Sequence, residues 1–456
     1  MPVVAAQTDQ AQKDQAQKLD REFQAAVVQY DSGHFSEAAK QLEILMPRAP
    51  DVFEVHELLG MVYVAESQQA KANEHLAKAV RLKPDSAEAR TNLAANLVQL
   101  RKLDSAEAEF KKAAELDPRS YNTNHNLGEF YIVSGRLGAA TSYLQRAQQV
   151  NPVAYDNGYD LALAYTETGR LIEGRNLVRE LLKRKDTAEL HNLLAQIEEK
   201  DRNFVVSVNE YEIAAHMDPT EGNLFDRGSE LLIHRTLDPA VDIFQHAAER
   251  YPDSARLAVG LGIALYSRGK YDDAVKALLK AADLNPSDPR SYYFLSKAYD
   301  NSPGQANDVI EHFRRFTKLQ PQNARAHFYY AMSMWKGRRA QDANLDVRQI
   351  ESLLRHSIAL DPNLAEAHLQ LGNLYSDQAK YADAVPEYKR ALQQNADLAD
   401  AHYRLGQAYV HTGQKDAARE QLEIYQRLRA RHMADLDKQR AEVRQFVYSE
   451  KKEVQH

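Results

Sequence analysis

Along this chain, apolar residues recur three and four positions apart in short segments, the spacing of one face of an α-helix. Ala106, Phe110 and Ala113 form one such segment, Ala140, Leu144 and Ala147 a second, Ala274, Leu278 and Ala281 a third, and Ala384, Tyr388 and Ala391 a fourth. The phrases Leu116-Asp117-Pro118, Val150-Asn151-Pro152, Met217-Asp218-Pro219, Leu284-Asn285-Pro286 and Leu360-Asp361-Pro362 each close an apolar run. Proline cannot continue a helix, so each phrase is a stop. About ten residues after a stop comes leucine followed by a small residue: Leu59-Gly60, Leu93-Ala94, Leu127-Gly128, Leu161-Ala162, Leu261-Gly262, Leu371-Gly372 and Leu405-Gly406. A small residue there lets a second helix approach closely. Large apolar residues follow (Tyr63, Leu97, Tyr131, Tyr165, Leu265, Tyr375, Tyr409), then a turn carrying Gly33, Gly135, Gly169, Gly269 or Gly413, then the alanine-marked helix. The predicted unit is a helix, a turn and a second helix.

The unit repeats. Pro50, Pro84, Pro118 and Pro152 are 34 residues apart, and Pro219, Pro252, Pro286, Pro321 and Pro362 continue the ladder with gaps of 67, 33, 34, 35 and 41. Several positions recurring in phase over many copies resemble the tetratricopeptide repeat, over nearly the whole chain. The phasing gives twelve repeats: 19–52, 53–86, 87–120, 121–154, 155–187, 188–220, 221–254, 255–288, 289–323, 324–364, 365–398 and 399–432. Repeats 5 and 6 depart from the pattern, with Gly174 and Ser207 where alanine is usual, and form the expected soft joint. Repeat 9 has a long turn around Asn301-Ser302-Pro303-Gly304, and repeat 10 an insertion between Trp335 and Ile350. The resemblance implies an all-α fold, a right-handed α-solenoid with first helices on the concave face and second helices outside. A helix pair cannot bury its apolar face alone, so stacked neighbours share one continuous core.

The ends are expected to differ. Residues 1–18 are polar and rich in Gln and Ala and read as a disordered lead-in. They have neither the charged start nor the apolar run of an intact signal peptide. The small residues before Gln7 are what a removed one would leave, which leans the compartment towards export. Residues 433–456 are expected to form a capping helix and tail; a helix for partners or self-association is the alternative.

Composition narrows the function. The chain has 456 residues, 44% apolar and 27% charged, with net charge −7. It is not basic enough to mark nucleic acid as a partner, and no run of about 18 apolar residues marks a transmembrane segment. Cysteine is absent, which removes disulfides and thiolate chemistry. There is no phosphate-binding loop, His-Glu-x-x-His or Gly-x-Ser-x-Gly. His56, His191, His327, His368 and His402 share one repeat position, where the family often has tryptophan. Spaced a repeat apart, about 10 Å, they suit packing rather than one zinc ion, whose ligands lie about 2 Å away. No catalytic residue, metal site or cofactor is expected.

Binding residues are sought on the concave face. Asn92, Asn126 and Asp160 stand 34 apart at the sixth position of repeats 3–5, and Asp226 takes that place in repeat 7. Asn offers donor and acceptor together, so a ladder of them can grip an extended peptide backbone. Glycan-transferring enzymes with a tetratricopeptide superhelix use a similar ladder. The same residues also suit a merely solvated face. Tyr159, Phe225, Tyr293, Phe328 and Tyr403 hold the fifth position in repeats 5, 7, 9, 10 and 12 as candidate aromatic anchors; partial burial against the preceding repeat is the alternative. Trp335, Arg338 and Arg339 are candidate loop contacts at the repeat-10 insertion. The family's clamp for peptide C-termini needs Lys and Asn where this chain has Phe23, Val27, Glu57, Met61, Thr91 and Ala95, which argues against a chaperone-tail clamp. The expected function is a non-enzymatic scaffold holding a protein or peptide in its groove. The alternatives are self-assembly into an oligomer or filament, or service as the targeting subunit of an enzyme complex.

Overall fold

In a computed structural model the described residues are 2–302, 304–341 and 347–431, with side chains from 15 onward apart from 338–341. Among them there is no strand. The helices pair in sequence as an A helix and a B helix per repeat. In repeats 1–6 they are α1 (Pro2–Asp31) and α2 (Phe35–Leu45), α3 (Phe53–Ala65) and α4 (Gln69–Leu82), α5 (Ala87–Gln99) and α6 (Leu103–Leu116), α7 (Tyr121–Val133) and α8 (Leu137–Val150), α9 (Tyr155–Glu167) and α10 (Leu171–Leu182), α11 (Ala188–Lys200) and α12 (Phe204–Met217). In repeats 7–12 they are α13 (Glu221–Ile233) and α14 (Leu237–Arg250), α15 (Ala255–Arg268) and α16 (Tyr271–Leu284), α17 (Pro289–Asn301) and α18 (Ala306–Leu319), α19 (Ala324–Gln341) and α20 (Val347–Leu360), α21 (Ala365–Asp377) and α22 (Tyr381–Gln394), α23 (Ala399–His411) and α24 (415–431).

Helix α1 begins at Pro2, inside the segment read as a lead-in. Its Ala, Gln and Lys residues are good helix formers. The 433–456 segment lies outside the described residues. The chain divides into two compact units, Met1–Asp218 and Pro219–His456, so the division follows repeat 6.

Local chemistry accounts for the boundaries. A serine or threonine hydroxyl caps the A helix two residues after several stops: Ser86 Oγ accepts from the Ala89 amide (3.1 Å), Ser120 from Thr123 and Ser254 from Leu257. The A–B turn needs one left-handed residue. Gly33, Gly135, Gly169, Gly269 and Gly413 supply it, whereas Ser67, Arg101, Arg202, Arg235 and Ala379 take the same conformation without glycine.

The A and B helices of a repeat meet at the leucine–small step. A Cβ on Gly128 would lie 2.5 Å from Leu144 Cδ2, and one on Gly262 2.4 Å from Leu278 Cγ. In the first unit a continuous buried cluster runs from Ala26 through Leu59, Leu93 and Leu127 to Tyr165. Repeat 6 departs at its own core: Glu198, 1% exposed, stands where the other copies carry Tyr63, Tyr131 or Tyr165. Burial pushes its carboxyl up, and hydrogen bonds from Arg175 (2.7 and 2.9 Å) and Asn203 (2.7 Å) outweigh that and hold it below the usual range.

Four histidines of the column close their repeats, while His191 bonds the side chains of Asp186 and Glu210. The Nε2 atoms of His56, His327, His368 and His402 bond the backbone carbonyls of Pro50, Pro321, Pro362 and Ala396, six residues earlier, at 2.9–3.2 Å. Arg90, Asn124 and Tyr292 make the same bond from the same position. The other ring nitrogen meets a B-helix side chain nineteen residues on: His75 for His56, Glu387 for His368 and Gln421 for His402. Each latch satisfies a stop carbonyl that would otherwise be orphaned where the helix ends.

Candidate peptide-binding faces

In the first unit each A helix touches the A helices before and after it, and the B helices stand further apart. The A helices therefore line the inner side. The Cβ spacing of a helix puts positions two, five, six and nine of each A helix on that side.

In the first unit, Asn92 is half-buried, its Nδ2 3.7 Å from Met61 Sδ. Asn126 is half-buried at the rim of a cavity of about 430 Å³ between α5 and α7, with Val98, Phe110, Phe130, Val133 and Glu129. Burial, with Glu129 and Asp156 nearby, pushes the Asp160 carboxyl up against the opposing pull of His125. Tyr159 packs, half-buried, against the cluster around Leu190 and Leu194.

Position two adds a feature that a search for Asn and aromatic residues passes over. It reads Glu54, Glu88, Asn122, Asp156 and Glu189 in repeats 2–6. Glu57, Glu129 and Asp160 stand beside it at positions five, nine and six. Helices α3, α7 and α9 contain no Lys or Arg, and the single Arg90 of α5 is held by Pro84 O (2.8 Å) and Glu109. Burial, with Glu88 and Glu54 nearby and against the pull of Lys83, raises the Glu57 carboxyl to about 7, and its Oε1 is buried with no hydrogen-bond partner among the described residues. Reading each position down the column of repeats, together with the scarcity of Lys and Arg within these A helices, would have found this face.

In the second unit, Phe225 lies edge-on to Phe244 (centroids 5.9 Å) and 4.2 Å beneath the Arg256 guanidinium. Asp226 is half-buried and has a partner of its own. Tyr293, 40% exposed, and Phe328 line one cavity of about 380 Å³ across repeats 9–11. Tyr329, Met332, Leu369 and Gln370 complete its walls, and Lys297, Arg325, Asp300 and Glu366 its polar rim. Burial raises the Tyr329 hydroxyl, and burial raises the Asp300 carboxyl against the pull of Lys336 and Lys297. Tyr403, 36% exposed, rests on Tyr425 (5.2 Å) in repeat 12, apart from that cavity.

The expectation for Trp335 is corrected. It lies within α19, which continues to Gln341, and is 4% exposed. The insertion is taken up partly as extra helix, so the indole faces the core and is not offered by a loop. Arg338 and Arg339 fall on the same helix; their side chains, and 342–346, lie outside the described residues.

Tetratricopeptide-repeat family models match residues 23–87, 91–158, 262–301, 372–413 and 399–429, together about half of the chain. The chain belongs to the tetratricopeptide repeat family, a family of protein-interaction scaffolds. The unmatched stretches include repeats 5 and 6 and the repeat-10 insertion. Among curated relatives, human protein O-mannosyl-transferase TMTC3 is 24% identical over 184 residues, 38% of this chain and 20% of that protein. Anaphase-promoting complex subunit 3 of Schizosaccharomyces pombe is 22% identical over 43% of this chain and 28% of its own length. For the Bacillus subtilis repeat protein YpiA the values are 22%, 41% and 42%. The chain thus spans less than half of each. A crystal structure of a tetratricopeptide repeat protein from Parabacteroides merdae aligns over 54% of this chain and 98% of its own, at 16% identity and TM-score 0.45. No described helix is long and apolar enough to cross a membrane.

Proposed function

We propose that this protein is a non-enzymatic scaffold that holds an extended segment of a protein partner against the inner faces of its A helices. The cavity of repeats 9–11 carries this reading: Tyr293 and Phe328, on consecutive repeats, border about 380 Å³, room for one large side chain. Gln370 and Ser296 at its wall supply donors and acceptors for a peptide backbone. In the first unit, Asn92, Asn126 and Asp160 would do the same at one-repeat intervals.

The test is affinity capture from the native source with wild type and with Tyr293→Ala/Phe328→Ala, read by mass spectrometry. Tyr293 is exposed and Phe328 half-buried, so the double variant should retain wild-type helix content. A protein captured by wild type and lost by the variant is the expected outcome. Equal recovery by both baits would sink the proposal for this cavity. Recovery of the bait alone, with a mass that grows with concentration, would favour self-assembly.

A further inference from the structure

We infer that the inner face of repeats 2–6 is a docking surface for a lysine- and arginine-rich extended segment of a partner protein. The inference deepens the scaffold reading and rests on it.

Its first support is unneutralised charge. Seven acidic residues (Glu54, Glu57, Glu88, Glu129, Asp156, Asp160 and Glu189) stand along five A helices, Glu57 partly protonated near neutral pH. None forms an ion pair among the described residues, although ion pairs are frequent elsewhere, as in Lys78–Asp51, Arg136–Glu107 and Lys200–Glu167. A solvated surface of ordinary composition intersperses both signs. A one-sign face raises the local concentration of opposite charge and rejects like charge.

The second support is geometric. The cavity between α5 and α7 has Val98, Phe110, Phe130 and Val133 on its walls, and Gln99, Arg101, Asn126, Glu129 and Ser134 as its polar groups, so one cation and one carboxylate border it. The apolar walls suit the methylene stem of a long side chain and Glu129 its cationic head, with the Arg101 guanidinium opposing. The half-buried ring of Tyr159 and the stacked pair Tyr121–His125 (5.3 Å) lie on the same A helices and add π faces for guanidinium or ammonium groups. Nucleic acid has the wrong sign for this face.

Three fluorescein-labelled peptides of about 12 residues test it; extended, each spans about 40 Å, or four repeats about 10 Å apart. In the first, lysine alternates with alanine and serine; in the others glutamine or glutamate replaces lysine. Anisotropy with the full chain should show the lysine peptide bound about tenfold or more tighter than the glutamine peptide, weakening as salt rises. Glu88→Lys/Glu129→Lys/Asp156→Lys changes three exposed residues and should abolish the preference. Glu74→Lys/Glu115→Lys/Glu180→Lys makes the same charge change on exposed B-helix positions and should keep it. Equal loss in both triple variants would mean bulk charge alone and overturn the inference. Equal binding of lysine and glutamine peptides, lost in Asn92→Ala/Asn126→Ala, would overturn it while leaving the scaffold reading in place. Binding of none of the peptides would overturn both for this unit.

Discussion

Glu57 shows how one side chain records the field around it. Burial and its neighbours Glu88 and Glu54 raise its carboxyl from 4.5 to about 7. The folded state therefore holds a proton that the unfolded chain gives up, so this residue costs nothing below about pH 4.5 and costs stability progressively as pH rises to 7. Glu57→Gln removes the charge and keeps the shape. We expect it to raise stability at pH 8 by about 1–2 kcal/mol, discounted for partial exposure, with the gain shrinking towards zero at pH 5. Urea titrations at the two pH values measure this; an equal gain at both would show that charge is not the cause. The same substitution relaxes the inner face of the first unit without touching the latch at His56.

At the scale of the element, packing between A and B helices leaves no slack at the leucine–small step. Gly128→Val places branched carbon where Leu144 Cδ2 already stands. We expect a loss of about 1–3 kcal/mol, seen as an earlier midpoint in thermal unfolding; an unchanged midpoint would mean that Leu144 swings aside freely. Gly60, Gly262 and Gly372 meet Leu76, Leu278 and Tyr388 as closely at the same position, whereas Ala94 and Ala162 hold it in the repeats on either side, where each is fully buried. These steps, the stops and the glycine turns were legible because each has a simple steric cause that recurs every 34 residues. Repeat 6 was faint because Glu198 and Arg175 replace apolar packing with a buried ion pair, which no hydrophobic period registers. Trp335 was misplaced for a related reason: an insertion looks like a loop in sequence even when helix absorbs it. The candidate site was half legible. Tyr293 and Phe328 share a cavity, but Tyr329, Met332 and Leu369 join them from positions whose spacing reads only as core.

For the whole molecule, stability is a sum over neighbouring repeats and not one transition. The single tryptophan, Trp335, lies buried in the second unit, while helical dichroism averages over both. We expect the denaturant midpoint from tryptophan fluorescence to differ from that of far-ultraviolet dichroism. Coincident curves fitting one two-state transition of the full chain would contradict this. The histidine latches bear on how such a chain changes length. Those of His56, His368 and His402 each join a carbonyl six residues back to a side chain nineteen residues ahead, a span shorter than one period. A duplicated or deleted block of one period that keeps this span whole therefore carries both bonds of the latch with it. Copying of whole periods could thus lengthen or shorten the array while keeping these latches intact.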